Sequence, residues 1–145
     1  MEKISNNIVF SYDFDKDAMR WFKKLFLRYD YLDYTADVNV YLDEKLLFCN
    51  NIFVFDLACQ LTIWLSKNED FSYYSMDDAG DGLTFTKREN DVWEIKSDWS
   101  NAEENFFIKH ENLISNIKEF LDIIDKDARR KRIGSLKKFL RDYYK

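Results

Sequence analysis

Proline is absent from this sequence, glycine occurs three times and histidine once, and each scarcity excludes a class of function. Phosphate-cradling loops and dinucleotide fingerprints need several glycines at set offsets before a helix. The three glycines of this sequence, Gly80, Gly82 and Gly134, do not have that spacing, so nucleotide binding by these motifs is excluded. Zinc sites built on two histidines are excluded because His110 stands alone. Turns must rely on asparagine and aspartate instead.

Cysteine is also scarce, with only Cys49 and Cys59 in the chain. Both follow apolar neighbours, and their ten-residue spacing without a partnering histidine matches no zinc pattern. We therefore expect two buried, free thiols in a reducing compartment. The sequence predicts no disulfide, no metal site and no cofactor.

Long apolar runs are missing as well. No stretch of about 18 apolar residues appears, and the first residues lack the basic stretch and apolar run of a secretion signal. We expect a cytoplasmic protein without a membrane partner. The 145 residues fit one globular domain, 1–145, and 46% of them are apolar, so the charged residues coat a core.

Alternating apolar and polar residues predict the clearest strand from Tyr34 to Leu42. Asp43-Glu44 turns the chain into a second strand from Lys45 to Cys49, and Asn50-Asn51 ends this hairpin. A further strand is predicted from Ile8 to Tyr12. Three short strands at 71–76, 83–88 and 92–97 follow as a meander.

Helical periodicity appears in four segments. Asp13 or Asp15 begins a predicted helix to Tyr29, although the pattern leaves helix and strand both open there. Residues 53–67 are apolar nearly all round, which is typical of a central helix. An amphipathic helix at 113–124 and a basic one at 133–143 complete the chain. The predicted fold is α+β, with an antiparallel sheet of about five to six strands and helices packed on one face.

The candidate catalytic and metal-binding motifs of the sequence are incomplete. The loop from Asp77 to Gly82 resembles a calcium loop, but its third position is Ala79 and its twelfth is Arg88, where a bidentate glutamate is required. We interpret it as an acidic turn. His110 precedes an amphipathic helix, which favours a capping or solvent role over that of a catalytic base. The sequence therefore does not predict an enzyme.

Charge is distributed unevenly along the chain. Residues 69–104 contain eleven acids against three bases, whereas residues 126–145 contain nine bases against two acids. One interpretation is that both are solvated faces that attract each other. The other is that the acidic region steers and seats a basic protein, because complementary potentials raise association rates.

Aromatic residues inside the acidic stretch favour the second interpretation. Tyr73 and Tyr74 are adjacent, so in a strand they face opposite ways and one can reach solvent. Trp99 belongs to no periodic face and forms an interface hot spot if it is exposed, or plugs the end of the sheet if it folds back. The predicted partner-binding residues are Asp77, Asp78, Asp81, Tyr74, Trp99 and Asp98.

A small acidic chain rich in Asn, Lys, Ile and Phe, with a central sheet and acid-flanked aromatics, resembles the immunity proteins of bacterial contact-dependent inhibition and polymorphic toxin systems. The likeness is one of type over the whole chain and transfers no site residue. It implies a protein that neutralises a toxin, often a nuclease. A carboxylate-rich surface suits that task because it replaces the phosphates that a basic cleft attracts.

Two other functions remain as alternatives. The basic C-terminal helix, with Arg129, Arg130, Lys131 and Arg132, has the residues to neutralise phosphates of a nucleic acid, although a net charge of −5 opposes such binding. A small hydrolase using His110 and acidic residues is the second alternative. Both are ranked below the protein-binding interpretation.

Overall fold

A computed structural model describes residues 4–15, 34–74, 81–100 and 104–144, which form eight strands and three helices. The strands within these residues are β1 (Ile4–Ser5), β2 (Ile8–Phe14), β3 (Ala36–Leu42), β4 (Lys45–Ile52), β5 (Phe71–Tyr74), β6 (Asp81–Lys87), β7 (Val92–Lys96) and β8 (Phe106–Lys109). The helices there are α1 (Val54–Leu65), α2 (His110–Arg130) and α3 (Leu136–Tyr143).

The strands form two sheets rather than one. A five-stranded sheet has the order β1-β8-β7-β6-β5, and a three-stranded sheet has the order β2-β3-β4. Among the strands of the described residues, β1 and β8 alone pair in parallel, with Ile4 opposite Phe107. The predicted α+β class, with antiparallel strands and helices packed against a sheet, is confirmed. The division into two sheets differs from the single sheet that we expected.

In the three-stranded sheet the predicted alternation is confirmed, because the inward residues of the central strand are all buried: Tyr34, Ala36, Val38, Val40 and Leu42. The hairpin is also confirmed, but its second strand continues through Asn50-Asn51 instead of ending there. Ile52 explains the extension, since it pairs with Ala36 and buries its side chain. The first strand likewise reaches Phe14, whose ring packs on Phe55.

In the five-stranded sheet the predicted meander forms, but two strands were missed. Strand β8, Phe106–Lys109, was not predicted, because Phe106, Phe107 and Ile108 are all buried and give no alternating signal. The two-residue strand β1 is too short to leave any pattern. The join between β1 and β8 links residues about a hundred positions apart, which local periodicity does not reveal.

Helices cover one side of each sheet. The predicted central helix is α1, and its Trp64 packs against Phe85 and Trp93 of the five-stranded sheet at centroid distances of 5.1 and 5.4 Å. Helix α2 stacks Phe120 on Phe10 of the three-stranded sheet. The buried apolar residues of both sheets and all three helices form one cluster. Within the described residues, no helix is long and apolar enough to cross a membrane.

One predicted segment lies outside the described residues, and one expectation about the cysteines is wrong. The segment from residue 16 to Tyr29, for which helix and strand were both open, lies outside the described residues. Both cysteines are free, but the expectation that both are buried is wrong: Cys59 is buried in α1, whereas Cys49 is exposed. Cys49 follows the inward-facing Phe48, so strand alternation points it outward.

Candidate functional site

Four of the six predicted partner-binding residues come together at one end of the five-stranded sheet. Tyr74 ends β5 and Asp81 begins β6, and these two are cross-strand partners next to a register shift. Asp98 and Trp99 follow β7, which runs antiparallel to β6, so they reach the same end. Asp98 is exposed. Asp77 and Asp78 lie outside the described residues.

Trp99 lies flat on Gly82. A Cβ atom at position 82 would come within 2.2 Å of the indole, so only glycine permits this contact. The indole meets the rings of Phe48 and Tyr73 edge to face, at 5.2 and 6.3 Å. It plugs the end of the sheet, one of the two alternatives from the sequence, yet it stays partly exposed. Its Nε1 donates to no described residue.

The acidic stretch 69–104 does not form one surface. Asp70 accepts a hydrogen bond from the backbone N–H of Lys87, at the end of the sheet opposite Trp99. Asp91 lies in the turn between β6 and β7 at that same far end. The carboxylate of Glu94 is buried midway between them and Trp99. The described acids of this stretch are thus divided between the two ends of the sheet and its middle.

Glu94 is neutralised by its neighbours. Arg88 donates from Nε at 2.9 Å and also from Nη2, and Lys96 lies 3.5 Å away. Burial by itself would raise the pKa of Glu94, but the hydrogen bond from Arg88 and the charges of Lys96 and Arg88 outweigh it and hold the pKa below its usual range. Ile4 and Phe107 extend this row of outward side chains, and we call the surface of these five residues the Glu94 face.

The outward side of the three-stranded sheet was not predicted as a site. Cross-strand register arranges its side chains in three rows, one apolar, one neutral and one acidic. We call it the Cys49 face, and its rows are Val9-Tyr41-Leu46, Ser11-Asn39-Cys49 and Asp13-Asp37-Asn51. The alternation of β3 indicated one third of this surface, but the register that joins the three strands has no signal in the sequence.

The acidic row of the Cys49 face has no counter-charge from the part of the chain that the structure describes. Asp13 and Asp37 are direct cross-strand partners, and both are exposed. The side-chain amide of Asn51 donates to Asp37 at 2.9 Å and to Asp15 at 2.9 and 3.0 Å. Among the described residues, no cation reaches ion-pair distance of Asp13 or Asp37, and no group of three or more acidic, His or Cys side chains is arranged to hold a metal.

The apolar row lies at the other end of the Cys49 face. Val9 is 51% exposed and Leu46 is 47% exposed, with the half-buried Tyr41 between them. Next to this row is a cavity of about 530 Å³, lined in part by Val9 and Phe106. The ion pair between Lys45 and Glu104, at 2.8 Å, stands at its rim. An apolar surface and a cavity therefore adjoin.

A buried polar cluster joins α1 to the C-terminal residues. Asp56 accepts hydrogen bonds from Gln60 at 3.1 Å, from the hydroxyl of Tyr73 at 3.5 Å and from that of Tyr144. Burial, together with the charge of Asp56, raises the pKa of Cys59 to about 12. The cluster satisfies a carboxylate inside the core and has the character of a structural contact.

The basic segment, residues 126–145, is neutralised in part, since four of its nine bases form ion pairs within their own helices. Its ion pairs are Lys126–Asp122, Arg129–Asp125, Arg130–Asp127 and Arg141–Asp142. The ammonium of Lys131 lies 4.3 Å above the ring of Phe14. Phosphate binding would have to break these contacts, which disfavours the nucleic-acid alternative.

His110 contributes to the fold. It is the first residue of α2, and its backbone N–H donates to the carbonyl of Asp91 at 2.7 Å. Its Nδ1 accepts a hydrogen bond from the indole of Trp93 at 3.0 Å, and the two rings stack. No carboxylate of the described residues hydrogen-bonds its ring in the way that the aspartate of a Ser-His-Asp triad does. The hydrolase alternative gains no support from this geometry.

Comparison with known families matches residues 10–130 to one described as a domain of unknown function (DUF7878). The matched region includes Cys49, Glu94 and Trp99 and ends with the last residue of α2, so it leaves out α3. No curated protein and no solved structure matches the chain.

Proposed function

The chain belongs to the DUF7878 family of domains of unknown function, and from its surfaces we propose that it binds and neutralises a basic protein, as an immunity protein neutralises its toxin. The observation that carries the proposal is the partly exposed indole of Trp99, held on Gly82 beside the exposed Asp98. A preorganised aromatic loses little freedom on binding, and such residues dominate interface energies.

Charge supports the choice of partner. The chain has a net charge of −5, Asp98 precedes Trp99 in sequence, and Asp81 begins β6 next to the Gly82 on which the indole lies. Carboxylates at this end attract a basic cleft in the way that phosphates do, which suits the inhibition of a nuclease. Four of the nine bases in the segment that would favour nucleic acid are paired within their own helices.

The test begins with a partner. The chain is co-expressed with the products of the genes next to its own, and association and dissociation rates of the co-purified complex are measured at two salt concentrations. Trp99→Ala should speed dissociation about thirtyfold, the equivalent of ~2 kcal/mol for a buried anchor. Asp81→Asn with Asp98→Asn should instead slow association and flatten its salt dependence, because charges at the rim act on encounter.

Matched controls lie at the other end of the sheet. Glu89→Gln with Asp91→Asn removes the same charge from an exposed turn and should change neither rate by more than about twofold. Trp99→Phe keeps the aromatic contact with Phe48 and should retain most of the affinity. A partner whose rates respond to the far-end variant and ignore Trp99 would contradict the proposed surface.

Neutralisation needs its own measurement. The partner's enzymatic activity, for example nuclease activity, should fall to background at a one-to-one ratio with the chain, and Trp99→Ala should shift that titration to higher ratios. Full partner activity in the saturated complex would reject the immunity function and leave a binding protein without inhibition.

A further inference from the structure

We propose that the Cys49 face is a second docking surface, which takes a segment of a protein partner that carries apolar side chains at one end and lysine or arginine side chains at the other. This goes beyond the proposed function. Phe48, which contacts Trp99, and Cys49 alternate along β4, so the Trp99 end and the Cys49 face lie on opposite sides of that strand.

The acidic row specifies a cation. Asp13 and Asp37 sit directly opposite each other, an arrangement that destabilises a sheet because like charges repel. Within the described residues the chain supplies no counter-ion, only the amide of Asn51 beside Asp37. A lysine or arginine from a partner would relieve the repulsion and pair with both carboxylates.

The apolar row specifies the other half of the partner. Val9 and Leu46 are two of the most exposed large apolar side chains among the described residues, and Tyr41 connects them into one strip. The cavity that Val9 shares with Phe106 offers space for an inserted side chain. Desolvation of such a strip and filling of such a cavity are typical of interface anchors.

The distance between the apolar row and the acidic row sets the spacing between the apolar and the basic side chains of the partner. Val9 and Asp13 are four residues apart on one strand, which corresponds to roughly 13 Å at about 3.3 Å per residue. A helix spans that distance in about nine residues, at 1.5 Å per residue. The face therefore fits a short amphipathic helix whose cations lie about two turns from its apolar anchors.

Cys49 makes the proposal testable, since this exposed thiol lies at the centre of the face. The probe is a fluorescein-labelled amphipathic helical peptide with leucines on one side and two lysines roughly 13 Å from them. Its affinity is measured by fluorescence anisotropy, and alkylation of Cys49 by N-ethylmaleimide is followed by mass spectrometry. The control peptide has glutamate in place of each lysine.

We expect the lysine peptide to bind and to protect Cys49 in proportion to occupancy. Asp13→Asn with Asp37→Asn should weaken its binding about two- to thirtyfold, the range of two exposed ion pairs. Leu46→Lys should abolish binding. Trp99→Ala, and Glu89→Gln with Asp91→Asn, should leave the affinity unchanged, which separates this surface from the Trp99 end.

Three results would overturn the proposal: no binding of the lysine peptide, binding that leaves Cys49 as reactive as in the free protein, or equal binding of the glutamate peptide. Because Leu46 and Asp13 are exposed, their variants should fold, and an unchanged melting temperature verifies this.

Discussion

The Glu94 face and the Cys49 face are both outward sides of antiparallel strands, and both contain acids, but they treat those acids differently. Glu94 is buried and receives hydrogen bonds and charge from Arg88 and Lys96. Asp13 and Asp37 are exposed and face each other without a cation among the described residues. An acid that has its own counter-charge stabilises the fold, whereas one without it is available to a partner.

The two groups of charged residues also differ in how far apart their members lie in the sequence. Arg88, Glu94 and Lys96 lie within a single hairpin, so the neutralised group forms as soon as β6 and β7 pair. Asp13 and Asp37 come from strands separated by more than twenty residues. The two carboxylates come close only because the three-stranded sheet forms, and the folded chain retains the repulsion between them.

Thiol reactivity should give the largest contrast between an outward face and a covered one. Cys49 is exposed, whereas burial raises the pKa of Cys59 to about 12. At pH 7.5 Cys59 then has roughly three thousandfold less thiolate than an ordinary thiol of pKa about 8.5. N-ethylmaleimide should modify Cys49 quickly and Cys59 only after unfolding, as read by mass spectrometry of Cys49→Ser and Cys59→Ser. Rapid labelling of Cys59 in the folded chain would show that α1 is not buried.

The covered side of the five-stranded sheet should carry most of the stability. Trp64 is 4% exposed and contacts Phe71, Phe85 and Trp93. Trp64→Ala should lower the free energy of unfolding by about 3–5 kcal/mol, because it leaves a large cavity. Urea denaturation measures this, with the exposed Ile123→Ala as a control expected within ~0.5 kcal/mol of the parent. A parent-like midpoint for Trp64→Ala would contradict the central position of α1.

The Glu94 network should contribute less and depend on pH. Glu94→Gln should lower the free energy of unfolding by about 1.5–3 kcal/mol, the range for a hydrogen bond to a charged group. Because the pKa of Glu94 is lowered in the folded chain, its contribution is full above the unfolded value of about 4.3 and is lost as pH falls through the folded pKa. The difference between parent and variant should therefore shrink below that pH. A difference that persists in acid would indicate packing instead of charge.

Sequence reasoning predicted the elements better than their assembly. The alternation at 34–42 gave a strand whose inward residues are buried, and the apolar segment at 53–67 gave the central helix. Phe106–Lys109 was missed because a strand covered on both faces does not alternate. The edge strand β1 was missed because it depends on pairing Ile4 with Phe107, which no local pattern encodes.

For the candidate sites the same limit applies. Tyr74, Asp81, Asp98 and Trp99 were singled out by composition, and the fold brings them to one end. Glu94 was counted with the acidic surface although Arg88 neutralises it, because sequence does not reveal burial. The Cys49 face was not predicted as a site, since its rows exist only after the register of three strands is set.

The substitution with the smallest expected effect is that of Asp13, and it should stabilise the fold, whereas substitution of Glu94 should destabilise it. Asp13 makes no hydrogen bond or ion pair among the described residues and opposes Asp37 directly. Asp13→Asn should therefore raise the free energy of unfolding by about 0.2–1 kcal/mol, by removing a like-charge pair. The gain should be larger at low ionic strength, where screening is weaker.

A double-mutant cycle decides whether repulsion is the cause. In the Asp37→Asn background, Asp13→Asn should add almost nothing, because the repulsion is already gone, and the coupling energy should decrease with added salt. Urea denaturation at low and high salt measures each corner of the cycle. If Asp13→Asn destabilises the chain, or if its effect is the same with and without the charge of Asp37, then the acidic row is already compensated. The two faces would then no longer differ in whether their acids are compensated, and only the apolar row would still distinguish the Cys49 face.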